Sequence, residues 1–88
     1  MLADLGGHGI GRFIHEWPAV PNTADGAGAG VLLTPGLVLA VEPFLAAGAT
    51  GTVTDADGWT LRTADGGLAA QFEHTVVVGA RGPIVLTA

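Results

Sequence analysis

The chain has 88 residues, 15 of them glycine and none cysteine, which limits it to one small domain with a thin core and no disulfide to staple it. Three arginines, no lysine and eight acidic residues give a net charge of -5, so there is no basic stripe for phosphates, and nucleic acid and anionic membrane are excluded as expected partners. Mean hydropathy is +0.53, high for a chain this short, and implies apolar surface that a partner covers.

Leu2 to Val20 holds too many glycines and a proline for a helix, and Ile10 to His15 reads as a short extended piece ending at Pro18. Residues 23–30, Thr-Ala-Asp-Gly-Ala-Gly-Ala-Gly, read as a connector. Thr34-Pro35-Gly36 has proline and glycine where a type II turn wants them. Leu37 to Leu45 follows as a strand that is apolar on both faces except at Glu42. Thr52 to Thr54 extends a ribbon, Asp55 to Gly58 turns, and Trp59 to Thr63 is an aromatic and β-branched strand. Asp65-Gly66-Gly67 closes a hairpin onto Gln71 to Gly79, the strongest strand. Ala80 to Pro83 turns, and Ile84 to Leu86 returns. No amphipathic helix and no internal repeat is expected. The apolar stretch Val31 to Ala49 is interrupted by Pro35, Gly36, Glu42, Pro43 and Gly48, too often for a membrane span. The first residues lack the basic start and apolar run of a signal peptide, so the expected location is cytoplasmic.

An ionised carboxylate in an apolar strand is costly unless paired or metal-bound, and Glu42 and Glu73 both stand in that position on separate strands. His8 is a third candidate, 34 positions before Glu42, with Glu73 31 positions after it. One imidazole and two carboxylates suit manganese, iron(II), cobalt or magnesium better than a thiolate zinc cage does. Taken singly, Glu42 also reads as an edge residue facing water and His8 as a hydrogen-bonded surface residue.

Three apparent motifs fail on physical grounds. His15-Glu16 starts like H-E-x-x-H, but position 19 is Ala19, and Pro18 breaks the helix such a site needs. Gly7-His8-Gly9-Ile10-Gly11 lacks dinucleotide-loop spacing and its helix. A serine or cysteine nucleophile is impossible because neither residue occurs.

Gly7-His8-Gly9-Ile10-Gly11, His15-Glu16-x-Pro18-x-Val20, Glu42-Pro43, Asp57-Gly58-Trp59-Thr60 and Phe72-Glu73-His74-Thr75, in that order over nearly the whole chain, resemble the C-terminal half of type I methionine aminopeptidases. The resemblance implies a β-rich part of an α+β, pita-bread fold, with residues 1–88 a single partial domain and the helices of the full fold lying mainly elsewhere. It implies a site of two divalent metal ions (cobalt, manganese, iron or zinc), with His8 and Glu42 on one ion and Glu73 bridging both. His15 matches the histidine that binds the scissile amide, Glu42 also handles the proton, and Ile14 and Trp59 match positions lining the pocket for the first side chain. Ile14 stands where phenylalanine is expected, and His74 is assigned to supporting the site or its strand. The remaining two ligands of the family are aspartates in the N-terminal half. Asp55, Asp57 and Asp65 match other positions, so three of five ligands are present and the chain by itself is expected to be inactive. The implied partners are a peptide or nascent-protein N-terminus and either a separate N-terminal half or a second copy. Two other readings stand beside this one: a pita-bread enzyme cleaving before proline or acting on creatine, and a non-catalytic half that complements another chain.

Overall fold

The computed structural model describes residues 1–24, 28 and 30–88, and part of the connector expected over 23–30 lies outside them. Nine strands run in chain order: β1 Gly6–Gly9, β2 Glu16–Pro21, β3 Val38–Val41, β4 Phe44–Ala46, β5 Thr52–Thr54, β6 Leu61–Thr63, β7 Ala69–Gln71, β8 His74–Gly79 and β9 Gly82–Val85. They form a five-stranded antiparallel sheet in the order β2-β1-β3-β8-β9 and two ribbons, β4 with β7 and β5 with β6. The expected strand-rich architecture is present, and there is no helix among the described residues.

The sequence expectations are corrected at four places. The strand expected from Ile10 to His15 is a bend, and extension falls on either side of it in β1 and β2. Pro18 does not end that extension but lies within β2. The register steps from His8 opposite Ala19 to Gly9 opposite Glu16, so Trp17 and Pro18 oppose no partner and form a bulge on an edge strand, where a missing N–H is tolerated. Leu37 to Leu45 and Gln71 to Gly79 are each two strands rather than one. Val41 pairs with His74 and Phe44 with Gln71, so both chains leave the ladder at one level, Glu42-Pro43 opposite Phe72-Glu73. Pro43 has no N–H to donate, and its carbonyl accepts only the long bond from Phe72 N at 3.4 Å. Finally, Asp65-Gly66-Gly67 does not close a hairpin between paired strands: β6 pairs back onto β5, and β7 pairs with β4. The Thr34-Pro35-Gly36 turn forms as expected, with Leu37 N bonded to the Thr34 carbonyl at 3.2 Å and Gly36 at φ +93°.

Close backbone approach explains the glycines of β1, a strand paired on both sides. A methyl group at Gly7 would meet the Ala40 carbonyl oxygen, and one at Gly9 would meet the Trp17 carbonyl oxygen. Both obstacles are backbone, so the sheet must yield. Gly9→Ala is therefore expected to cost about 1–3 kcal/mol or more through overpacking, read as a lowered Tm in a circular-dichroism melt, whereas Gly30→Ala, with open space around its Cβ but a φ of +92°, pays only backbone strain.

The N-terminal segment is tied to β4 by Leu2 N to Phe44 O, and to β5 and the residues before it by Ala3 N to Thr50 O and the Asp4 carboxylate, which accepts from Thr52 N at 2.9 Å and Thr52 Oγ1 at 2.7 Å. Those two donors hold the Asp4 carboxyl below its ordinary value. A depressed folded-state value means stability that is present above the unfolded carboxylate range and lost as pH falls through the folded one. Acid melts between about pH 4 and 2 are accordingly expected to show a steep loss for the native chain and a flatter one for Asp4→Asn, which starts from a lower Tm at neutral pH.

The core is small. Leu2, Leu39, Ala40 and Ala49 are the buried apolar residues described, and no large side chain is fully enclosed. The radius of gyration is 14.2 Å, against about 12 Å for a compact chain of this length.

Candidate metal centre

The shared break in the ladder positions the site. Glu42 directly follows β3 and Glu73 directly precedes β8; His8 pairs with Ala40, two positions before Glu42, and Ala40 pairs with Thr75, two positions after Glu73. All three expected ligands thus project from the same face at the same level. Ligand atoms of His8, Glu42 and Glu73 lie within 4.8 Å of one another.

His8 Nε2 is 3.1 Å from Glu42 Oε1, both side chains being largely buried. The other ring nitrogen, Nδ1, is 2.8 Å from the Gly9 carbonyl, which can only accept, so Nδ1 carries the proton. Nε2 then meets the carboxylate with a lone pair unless a second proton or a metal ion intervenes. This tautomer, fixed by a backbone carbonyl, is the arrangement that readies an imidazole as a ligand, and 3.1 Å between two donors is spanned by one ion at ordinary bond lengths of about 2.0–2.2 Å. The donor set fits a divalent ion of the oxygen-preferring kind.

Burial pushes the Glu42 carboxyl above its ordinary value, and repulsion from Glu73 adds to this, while His8 and His15 and a hydrogen bond from Gln71 oppose it. Two carboxylates held this close raise a proton affinity that a cation would relieve. Glu73, by contrast, is exposed.

His15 stands beside the cluster, its ring centroid 4.2 Å from that of His8 with the planes tilted at 55°. Ile14 and Trp59 are not gathered in with these four. Ile14 is 70% exposed on the bend before β2, and Trp59 is 79% exposed on the β5–β6 turn, where Asp57 Oδ1 accepts from Trp59 N and Thr60 N. Neither side chain is packed in the core. Asp55, Asp57 and Asp65 are all engaged in their own turns, Asp55 with Arg62 at 2.6 Å and Asp65 with Gly67 N at 2.9 Å. His74 supports its strand end, with Nδ1 2.9 Å from Thr87 Oγ1.

Two residues given no role from sequence hold the site. Gln71 Nε2 donates to Glu73 Oε2 at 3.3 Å and so holds that carboxylate beside Glu42. It stands two positions before Glu73 on an extended segment, and that spacing was the available signal. Asn22 Nδ2 donates to the Glu42 carbonyl at 3.0 Å and to the Leu5 carbonyl at 3.3 Å, fixing the backbone that carries Glu42. Nothing local in the sequence around Asn22 announces this.

The profile of Metallopeptidase family M24 matches residues 2–80. The chain belongs to this family. Among M24-type relatives it is 51% identical over 83 residues to a methionine aminopeptidase of Aquifex aeolicus and 53% identical over 88 residues to methionine aminopeptidase 1 of Mycobacterium tuberculosis, covering 93% and 99% of this chain and 32% of each of those proteins. The solved methionine aminopeptidase of Thermotoga maritima superposes with a TM-score of 0.89 at 43% identity, over 98% of this chain and 34% of that one. The chain therefore spans about a third of the length of the M24 relatives it matches. Among the described residues no helix is long and apolar enough to cross a membrane.

Proposed function

We propose that this chain is the C-terminal part of a type I methionine aminopeptidase, an α+β pita-bread enzyme that removes the first methionine from peptides and nascent proteins in the cytoplasm. The observation that carries the reading is the convergence of His8, Glu42 and Glu73 at one break in the ladder, with the His15 ring tilted against that of His8. Relatives at about half identity over the whole chain bear the same name.

In this reading His8, Glu42 and Glu73 would hold divalent metal, with the ligands still needed supplied by aspartates outside this chain. The bound ions would supply an activated water and polarise the scissile carbonyl. The residues described do the rest. His15 donates a hydrogen bond where negative charge develops on the carbonyl oxygen. Glu42, whose carboxyl is already raised by its surroundings, takes a proton and passes it to the leaving amine. Gln71 keeps the Glu73 carboxylate oriented. Ile14 and Trp59, exposed on neighbouring loops, become pocket walls for an unbranched thioether side chain once the remainder of the enzyme closes over them.

Alone, the chain is expected to hold a single ion weakly and to release no methionine. The test is calorimetric titration with Mn(II) or Co(II), followed by a Met-Gly peptide assay, on the chain alone and on a chimera in which it replaces the matching third of the Thermotoga maritima enzyme. Binding by the chain that is lost in His8→Ala, with methionine release only from the chimera, is the expected result. An inactive but folded chimera, or one that prefers peptides with proline second over Met-Gly, sinks the methionine reading.

A further inference from the structure

Glu16 follows His15 directly, yet neither the metal centre nor the proposed reaction uses its side chain. It stands at the foot of a bend. β1 ends at Gly9 and β2 begins at Glu16, and these two residues are register partners, so residues 10–15 connect two paired ends. Residues 11–15 are all exposed, and none of them belongs to the core. A segment placed in this way takes its shape from the hydrogen bonds it makes locally.

The Glu16 carboxylate closes the bend. Phe13 N donates to Glu16 Oε2 at 3.1 Å, and Gly11 N donates to the Phe13 carbonyl at 3.1 Å, so the bend is folded back onto the residue that starts β2. Ile10 N, at its other end, donates to the Val38 carbonyl at 3.2 Å. Gly11 leaves room for the carboxylate: a methyl group there would meet Glu16 Oε1 at 2.5 Å and Cδ at 3.2 Å. The obstacles at Gly7 and Gly9 are backbone, but this one is the far end of a flexible side chain. A methyl at Gly11 would therefore swing the carboxylate off Phe13 N and leave the sheet as it is.

The bend carries His15 to the site. Glu16 faces Gly9, and the Gly9 carbonyl lies 2.8 Å from His8 Nδ1, so one register pair stands behind both imidazoles, whose centroids are 4.2 Å apart. The hydrogen bonds of the His8 and His74 rings have no counterpart at His15 among the described residues, so that ring depends on its backbone for its place. Glu16 is not one of the three residues whose donors converge on the candidate metal position.

We propose that Glu16 is a positioning residue: by holding Phe13 N it fixes the bend and aims the His15 imidazole at the substrate amide. This rests on the role given to His15 above. It is independent of whatever covers the bend in a longer protein, because donor and acceptor both lie within residues 13–16.

Geometry and turnover are read separately to test it. In histidine-labelled chain, NMR is expected to show cross-relaxation between the His8 and His15 rings. That contact should be kept in Glu16→Gln, which retains an acceptor oxygen, and lost in both Glu16→Ala and Gly11→Ala. In the Thermotoga maritima chimera, Glu16→Ala is expected to lower kcat for a Met-Gly peptide by about tenfold to a hundredfold. KM and Mn(II) uptake should change little, and Glu16→Gln should recover most of the loss. Since Glu16 acts through one imidazole, adding Glu16→Ala to His15→Ala should lower kcat no further, whereas a carboxylate that only stabilises the fold would lower it in both backgrounds. A ring contact that persists in Glu16→Ala overturns the proposal, as do a Glu16→Gln variant that behaves like Glu16→Ala and losses at positions 15 and 16 that multiply. A ring contact that responds as expected, in a chimera that releases no methionine, overturns instead the role of His15 in the reaction.

Discussion

Glu73→Ala in the Thermotoga maritima chimera is expected to lower kcat/KM for a Met-Gly peptide by at least about a thousandfold, the scale of several kcal/mol of transition-state stabilisation that metal ions provide. The side chain is exposed, is held by Gln71, and brings its oxygen within 4.8 Å of the His8 and Glu42 donors. Removing it leaves the sheet intact, because β8 begins at His74 and its ladder needs no side chain from position 73. The melting curve should therefore barely move while metal uptake collapses. A second readout follows from Glu42. Its carboxyl is raised by burial first and by Glu73 next, so in the metal-free chain Glu73→Ala brings it back toward the ordinary range, visible as an NMR titration. The sign also fixes the pH dependence of loading. A raised carboxyl keeps its proton to higher pH, the ion must displace that proton, and Mn(II) affinity of the native chain should rise with pH through and above the usual carboxylate range. Affinity flat with pH, or unchanged by Glu73→Ala, would remove Glu73 from the site.

The parts of this arrangement that local chemistry dictates were legible in the sequence. A carboxylate in an apolar run has few stable solutions, and Glu42 and Glu73 do meet. Pro35-Gly36 does turn. The errors share one cause: strand runs were read without knowing what they pair with. Leu37 to Leu45 is continuous as a pattern, but only the register with β8 and β7 reveals that both chains leave the ladder at Glu42-Pro43 and Phe72-Glu73. Pro18 marks the end of an extended piece in the sequence pattern, whereas in the fold it occupies a bulge on an edge strand. Asn22 and Gln71 were missed because their value lies in contacts to Glu42 and Glu73, 20 positions away in one case and next door in the other. Ile14 and Trp59 are exposed, and hydropathy announces such apolar surface without saying what covers it.

On the proposed reading His15 would separate substrate chemistry from metal chemistry, because it touches the cluster without joining it. Its ring lies 4.2 Å from the His8 ring, yet it is exposed and is not among the three side chains whose donors converge. If its work is to donate to the carbonyl oxygen as charge develops there, it acts in the transition state more than in the ground state. His15→Ala in the chimera should then reduce kcat by about a hundred to a thousandfold, the cost of losing one such donor, with KM changed little and Mn(II) titration unchanged. His15→Gln, which keeps an N–H, should recover part of the loss. The decisive contrast is with Glu73→Ala, where activity and metal uptake fall together. If His15→Ala also abolishes metal uptake, the histidine is a ligand, and the division of labour between the two neighbouring imidazoles is wrong. If kcat survives the substitution, the donor to the carbonyl must come from the part of the enzyme outside these 88 residues.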